Sequence, residues 1–246
     1  MRQFRADLHI HTVLSACADL EMSPVNIVNI AKARNLDMIG ITDHNSTLHC
    51  ALVNELAEEK GLVVLLGVEV TTREEVHCLA YFPDEDSLTM FQHYMEVHLP
   101  IIRYQPEQMG YQPLVDRNEQ IVRMVTEYLN IALDQSIDQV EQEIHRLGGL
   151  FVPAHIERPM YGIFNQLGFI PASLSCDALG IMRQSNEADI RNRYRVAPGI
   201  ALIRASDAHV LDEIGTGVTI FGLREPTFEE VKMALSGTEG RKIISE

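Results

Sequence analysis

The chain has no tryptophan, only four cysteines, and no apolar run near the ~20 residues a membrane-spanning helix needs, the longest being Leu62 to Val68. Cys17, Cys50, Cys78 and Cys176 stand far apart without a C-x-x-C pair, which argues against a disulfide framework or a cysteine-rich zinc module. Reduced thiols in a cytoplasm fit that usage, and Met1 to His9 lacks the apolar stretch of a secretory signal. Basic side chains are scarce as well. Lys+Arg total 20 against 35 Asp+Glu, and the net charge of −15 opposes the phosphate attraction on which most nucleic-acid binders depend. Long nucleic acid is therefore not the expected partner. Internal repeats, low-complexity tracts and linkers are also missing, so the 246 residues suit a single domain carrying an insertion. With 46% apolar residues the chain has material for a core, and it holds ten histidines.

Short apolar runs alternate with helical patterns, as in repeated β-α units around a mostly parallel sheet. Strands are expected at Phe4 to Ile10, Met38 to Thr42, Leu62 to Val70, Val76 to Phe82, Leu150 to Ala154, Ala178 to Met182, Ala201 to Ser206 and Val218 to Phe221. Ser23-Pro24 opens a helix that runs to Asn35. Others are expected over Ser46 to Lys60, over Ser136 to Leu147, and after Thr227, where Thr-x-x-Glu is a capping-box pattern. Residues 83–135 break the rhythm, with helical patches at Ser87 to His98 and Asn118 to Leu133 around an irregular loop. They read as an insertion covering the site. So many short strands with helices between them favour a (β/α) barrel over an open sheet.

The polar residues that interrupt this pattern carry the chemistry. His9 and His11 end the first strand two residues apart, so both imidazoles point to one side. Thr42-Asp43-His44-Asn45 follows the second strand, where Asp43 or Asn45 also reads as an ordinary turn or N-cap residue. Glu69 interrupts an apolar strand, and a buried carboxylate requires a cation or strong donor beside it. His77 lies in the next strand, His155 follows Val152-Pro-Ala, and Asp207-Ala-His209 follows the strand after that. His49, His93, His98 and His145 fall in helical patterns and read as solvated or capping residues. In a parallel barrel the carboxyl ends of the strands share one face, so six histidines and two carboxylates would converge there. Such a set exceeds the ligands of one ion and suits two or three divalent Zn, Mn or Fe ions.

The ordered set Asp7-Leu-His9-Ile-His11-Thr12, Ile41-Thr-Asp43-His44-Asn45, Glu69, His77, Pro153-Ala-His155 and Ser206-Asp207-Ala-His209 resembles the PHP (polymerase and histidinol phosphatase) family. The resemblance implies a distorted (β/α)7, TIM-like barrel whose di- or trinuclear centre hydrolyses small phosphate esters through a metal-bridging hydroxide. His9, His11 and Asp207 would hold one ion, Glu69 would bridge it to a second bound by His77 and His155, and His44 and His209 would bind a third. Many members complete that third site with an Asp or His shortly after the first motif. Here the loop reads Ser15-Ala-Cys17-Ala-Asp19, which makes Cys17 the candidate ligand, a packed free thiol being its other reading. Glu69, Asp207 and His209 would be the catalytic group. Arg158, three residues after His155, is the candidate fork for a phosphate oxygen or else an ordinary loop ion pair, with Arg183 and Arg204 behind it. The alternatives are a metal-dependent amidohydrolase and a metal- and phosphate-binding module without turnover.

Overall fold

The structure is a computed structural model that describes residues 1–244. Its first half contains β1 (Arg2–Ile10), α1 (Pro24–Ala33), β2 (Met38–Ile41), α2 (Cys50–Glu58), β3 (Val63–Thr71), β4 (His77–Phe82), α3 (Glu85–His98), α4 (Pro106–Met109), β5 (Pro113–Val115) and β6 (Ile121–Met124). It continues with α5 (Ile137–Arg146), β7 (Leu150–Pro153), α6 (Ile163–Gln166), β8 (Leu179–Ile181), α7 (Glu187–Tyr194), β9 (Leu202–Arg204), β10 (Thr219–Leu223), α8 (Phe228–Leu235) and β11 (Lys242–Ile244). The helix starts follow local chemistry. Ser23 accepts from the Asn26 N–H with Pro24 at the first helical position, Ser136 and Gln139 form a full capping box, and Thr227 accepts from the Glu230 N–H. Among the described residues no helix is long and apolar enough to cross a membrane.

Seven strands form one curled sheet in the order β11-β10-β1-β2-β3-β4-β7, and β8 with β9 form a separate parallel pair. With the helices packed outside, this half-barrel is the expected distorted, TIM-like barrel. Its sheet is less parallel than the sequence suggested. Within it, among the described residues, parallel pairing is confined to β1–β2 and β2–β3, while β4 is antiparallel to both β3 and β7, and β10 is antiparallel to β1. Thr72 to Val76 joins β3 to β4 as a tight turn closed by Thr72 N–H to Val76 O at 2.9 Å, and a connection that short cannot make a parallel crossover.

Residues 83–135 depart most from expectation. Asn118 to Leu133 is not helical. Asp116 accepts from the N–H groups of Asn118 and Gln120, Glu119 takes φ +61°, and the chain turns into the β5–β6 hairpin. Asp-Arg-Asn is strong turn chemistry and Ile121-Val122 is β-branched, which together outweigh the helical spacing. The sequence also gave no sign of α7 or β11.

Period-2 alternation divides the sheet into an inner face and an outer face packed on helices. Leu65 on β3, Leu79 and Tyr81 on β4 and Val152 on β7 belong to the inner core, whereas Val64, Leu66, Val68, Cys78, Ala80 and Phe151 belong to the outer one. Glu69 and His77 share the inner parity. On β1, Phe4, Ala6 and Leu8 are inner but Ile10 is outer, because the register against β2 slips between Asp7 and Ile10. That bulge brings His9 and His11 inward above Leu8. Gly40 makes room for it, since a Cβ there would lie 2.4 Å from Leu8 O, which also accepts from the Tyr81 hydroxyl.

Candidate metal centre

All eight expected His, Glu and Asp positions meet at one end of the barrel. His77 reaches it by an unexpected route. Because β4 runs backwards, its first residue pairs with Thr71 at the end of β3 and so lies on the same rim as residues that follow the other strands. Isolated bridges join Ile10 to Ala208 and His44 to Glu69, holding the late and early loops together.

Glu69, 1% exposed, sits at the middle. Its Oε2 approaches His9 Nε2 at 3.3 Å, His11 Nε2 at 3.2 Å and His44 Nδ1 at 3.2 Å, while Oε1 faces His77 Nδ1 at 3.1 Å and His155 Nε2 at 3.2 Å. Asp207 Oδ1 lies 3.2 Å from His9 Nε2 and 3.5 Å from His11 Nε2. Among the described residues, three sets of ligand atoms lie close enough together to hold an ion: His9, His11, Glu69 and Asp207; His44, Glu69 and His77; and His11, His44 and His209. The family resemblance would put His155 with His77 on one ion. His155 touches the same Glu69 oxygen as His77 but falls outside all three sets. An imidazole bound through Nε2 serves one ion, so His11 belongs to the first set or the third. Cys17, on an exposed turn, joins no set.

The electrostatics suit cations. Burial opposes charge on Glu69, yet His77, His9, His11 and His155 hold its carboxyl well below the usual range. Burial likewise works against ionised Asp207, and the histidines around it hold the carboxyl low. His11 goes the other way: burial lowers it, but bonds to Asp207 and Glu69 raise it to about 10. Burial pushes His209 down to about 4 and His44 and His77 below their ordinary value, which leaves them the neutral imidazoles that metals require. Although the residue is exposed on its turn, its thiol is pushed up to about 12, first by loss of solvent around the sulfur and then by the Glu69 charge, so without a cation beside it Cys17 keeps its proton at neutral pH. His44 Nδ1, both nitrogens of His77, His155 Nδ1 and Asp207 Oδ1 are buried without a hydrogen-bond partner. Five orphaned ligand-type atoms in one cluster fit a group of divalent cations.

Beside the cluster lies a cavity of about 290 Å³ lined by His9, His155, Arg158, Arg183, Asp207 and His209 among others. Arg158 Nη1 donates to Asp207 Oδ2 at 2.9 Å, and Arg183 is bound to Thr216 and Glu213. Arg204 lines a different cavity, at the seam between β9 and β10. His155 at φ +27° and Asp207 at φ +54° hold left-handed backbone that L-residues rarely adopt, a strain that collects at functional sites. Sequence reasoning missed the support behind the ligands. Asp7 is wholly buried and accepts from the N–H groups of Ser206 and Gly215, and His49, expected to be solvated or capping, stands at the N-cap position of α2 but is buried and makes no side-chain capping bond. Asp7 sat inside the motif, but nothing in the helical spacing marked His49.

Several known proteins are similar to this one. It is 23% identical to the uncharacterised protein YqxK of Bacillus subtilis across the full chain, and 33% identical to a Methanocaldococcus jannaschii protein over 90 residues. It spans 65% and 52% of those relatives' lengths. Among solved structures, the lesion-specific endonuclease PfuEndoQ of Pyrococcus furiosus matches 98% of this chain and 58% of its own, with TM-score 0.76 and 20% identity. An Endonuclease Q complex with a 27-mer duplex matches 98% of this chain and 58% of its own with TM-score 0.72 and 18% identity. An amidohydrolase of Chromobacterium violaceum matches 94% of this chain and 96% of its own with TM-score 0.57 and 18% identity. These likenesses concern the fold. The PHP domain model matches residues 7–156, and the PHP-associated model matches residues 193–238, which contain Asp207 and His209. With its motifs matched in order and their side chains gathered at one barrel end, the chain belongs to the PHP domain family.

Proposed function

We propose that the chain is a metal-dependent hydrolase of phosphate esters. The observation that carries this reading is the double use of Glu69, whose two oxygens face different imidazoles, so that one carboxylate can serve two cations. In this reading His9, His11, Glu69 and Asp207 hold one ion, and Glu69 with His77 and either His44 or His155 holds a second. His44 and His209 remain the candidates for a third, which Cys17 would complete only by turning in from its exposed position and losing its proton, and Zn, Mn and Fe all suit the donors. Bound divalent ions of this kind supply a water of lowered pKa and positive charge toward phosphoryl oxygens. Arg158, anchored on Asp207 through one nitrogen, has the rest of its fork to orient such an oxygen in the cavity. Asp207 and His209 line that cavity, where a seated ester would touch them.

The cavity of about 290 Å³ is at the small end for a ligand site and suits a compact phosphate ester or one linkage of a strand. Net charge favoured the small ester over nucleic acid. That argument has lost force, because Endonuclease Q, which shares this fold, binds a 27-mer duplex with an abasic lesion at its active site. Both substrate classes therefore belong to the reading. Residues 83–135 are assigned to substrate choice: Leu14 packs on Val125 and Leu129, and a Cβ on Gly110 would lie 2.2 Å from Ala16 O, beside the site loop. A reducing, cytoplasmic setting goes with the four free thiols.

The test supplies Mn, Zn or Fe and measures phosphate release from small esters, cleavage of an abasic duplex, and turnover of amides and lactones. Hydrolysis of phosphate esters is expected. Glu69→Gln should abolish it and weaken metal binding by more than the about 10–100-fold that outer-shell partners carry. Turnover confined to amides, or a Glu69→Gln variant as active as the parent, would overturn the assignment.

A further inference from the structure

His49 stands just before α2 and has no part in holding metal, yet it is 1% exposed and both ring nitrogens have partners. Nε2 accepts from the backbone N–H of Val115 at 3.0 Å, and Nδ1 lies 2.7 Å from Thr12 Oγ1. A backbone N–H only donates, so Nε2 carries the lone pair and the neutral ring's proton is on Nδ1, which donates to Thr12. Thr12 Oγ1 also accepts from Leu14 N–H at 3.1 Å, and it donates its own proton to Asp43 Oδ2 at 2.7 Å. With both acceptor positions filled, that hydroxyl has one direction left to point.

Asp43 Oδ1 accepts from Thr12 N–H and from the Ser15 hydroxyl, each at 2.7 Å. Having donated its only proton, Ser15 Oγ accepts from His44 N–H at 3.2 Å and from His11 Nδ1 at 3.0 Å. The count of donors therefore puts a proton on His11 Nδ1, so that when the ring gives up its second proton to bind a cation the lone pair is on Nε2. Nε2 is the atom 3.2 Å from Glu69 Oε2. Thr12, Ser15, Asp43 and His49 are all buried, so water does not compete along the chain of bonds.

We propose that His49 is a positioning residue for the metal centre, setting the orientation and donor strength of His11 through Thr12, Asp43 and Ser15. The inference rests on the metal-centre reading given above. Outer partners of a ligating histidine fix its ring and raise its basicity, and their loss typically costs about 10–100-fold in metal affinity. His49 supplies the donor that holds the Thr12 proton on Asp43, and its other nitrogen is anchored to β5. The inserted hairpin is thereby connected to the ligands, so a shift of Val115 would be felt at His11.

The experiment titrates Mn²⁺ into folded protein by calorimetry, for the parent, His49→Asn, His49→Gln, Thr12→Val and the His49→Gln/Thr12→Val pair. An Asn amide nitrogen falls near the Nδ1 position and keeps the donation to Thr12, so this variant should melt earlier but bind Mn²⁺ nearly as the parent does. Gln keeps an acceptor for Val115 and loses the donor to Thr12, and should bind about 10–100-fold more weakly. Adding His49→Gln to Thr12→Val should cause little further loss, since both act through one hydroxyl. A merely structural His49 would leave the affinity of every folded His49 variant unchanged, which overturns the proposal, as do fully additive losses in the pair. A parent that takes up no Mn²⁺ overturns the metal-centre reading and this inference together, whereas equal uptake by parent and variants overturns this inference alone. Histidine ¹⁵N spectra of the parent require no variant: Nδ1–H at both His11 and His49 is expected, and the opposite tautomer at either ring refutes the proposal.

Discussion

At the scale of single residues, Asp207 has two oxygens with two different tasks. Oδ1 faces His9 and His11, while Oδ2 holds Arg158 Nη1 at 2.9 Å. Its left-handed backbone is sustained from below, where the fully buried Asp7 accepts from Ser206 N–H at 2.9 Å and Gly215 N–H at 2.6 Å, fixing both ends of the loop. Arg158 belongs to substrate in this scheme, because it is the more exposed of two half-buried partners and lines the cavity. Arg158→Ala should lower kcat/KM for a phosphate ester by about 10–100-fold, the worth of one or two charge-assisted hydrogen bonds, with metal content unchanged. Steady-state kinetics with metal analysis checks this, and loss of metal at unchanged KM would place Arg158 with the ions. Arg158→Lys should not restore the parent value, since a point charge does not reproduce the fork.

At the scale of elements, α5 ends on a pH-dependent anchor. His145 in its last turn lies 2.8 Å from Asp177 Oδ2 and 2.6 Å from Glu141 Oε1, joining the helix to the stretch before β8. The Asp177 bond, outweighing burial, raises the imidazole above its ordinary 6.5. The folded protein therefore holds that proton more tightly than the unfolded chain. The stabilisation is complete below the unfolded value and disappears as pH rises through the raised native value. His145→Gln should consequently lower the midpoint of urea unfolding more at about pH 5.5 than at about pH 8.5. An equal loss at both would remove the ion pair as the cause. Elements of this kind were readable where capping and periodicity agreed, as in α1, α5 and α8. They were not readable at β5–β6, where a turn at Asp116 overrides a helix-like spacing, nor at His49, whose helical position gave no hint that β5 would cover it.

At the scale of the whole molecule, the barrel end gathers Glu69, Asp207 and six histidines that would repel or titrate one another without cations. Metal should therefore stabilise the fold by mass action. Divalent ion at about 100 times its dissociation constant contributes about 2.7 kcal/mol, which for a chain of this size raises Tm by about 5–10 °C. Calorimetric scans with added Mn²⁺ and with chelator check this, and identical melting would place no cation in the folded state. The sequence by itself carried the barrel class and the ordered family motifs, and the eight His, Glu and Asp positions it singled out from His9 to His209 do meet at one barrel end, because strand ends and short motifs are local properties that neighbouring residues write directly. Only the tertiary structure decided that β4 runs backwards and delivers His77 by its first residue, that His77 keeps company with His44 as well as His155, and that Cys17 stays outside the ligand sets. It alone also decided that His49 and Asp43 stand behind His11. Those outcomes depend on which strand edges pair and which loops meet in space, and pairing across dozens of residues leaves no period in the chain.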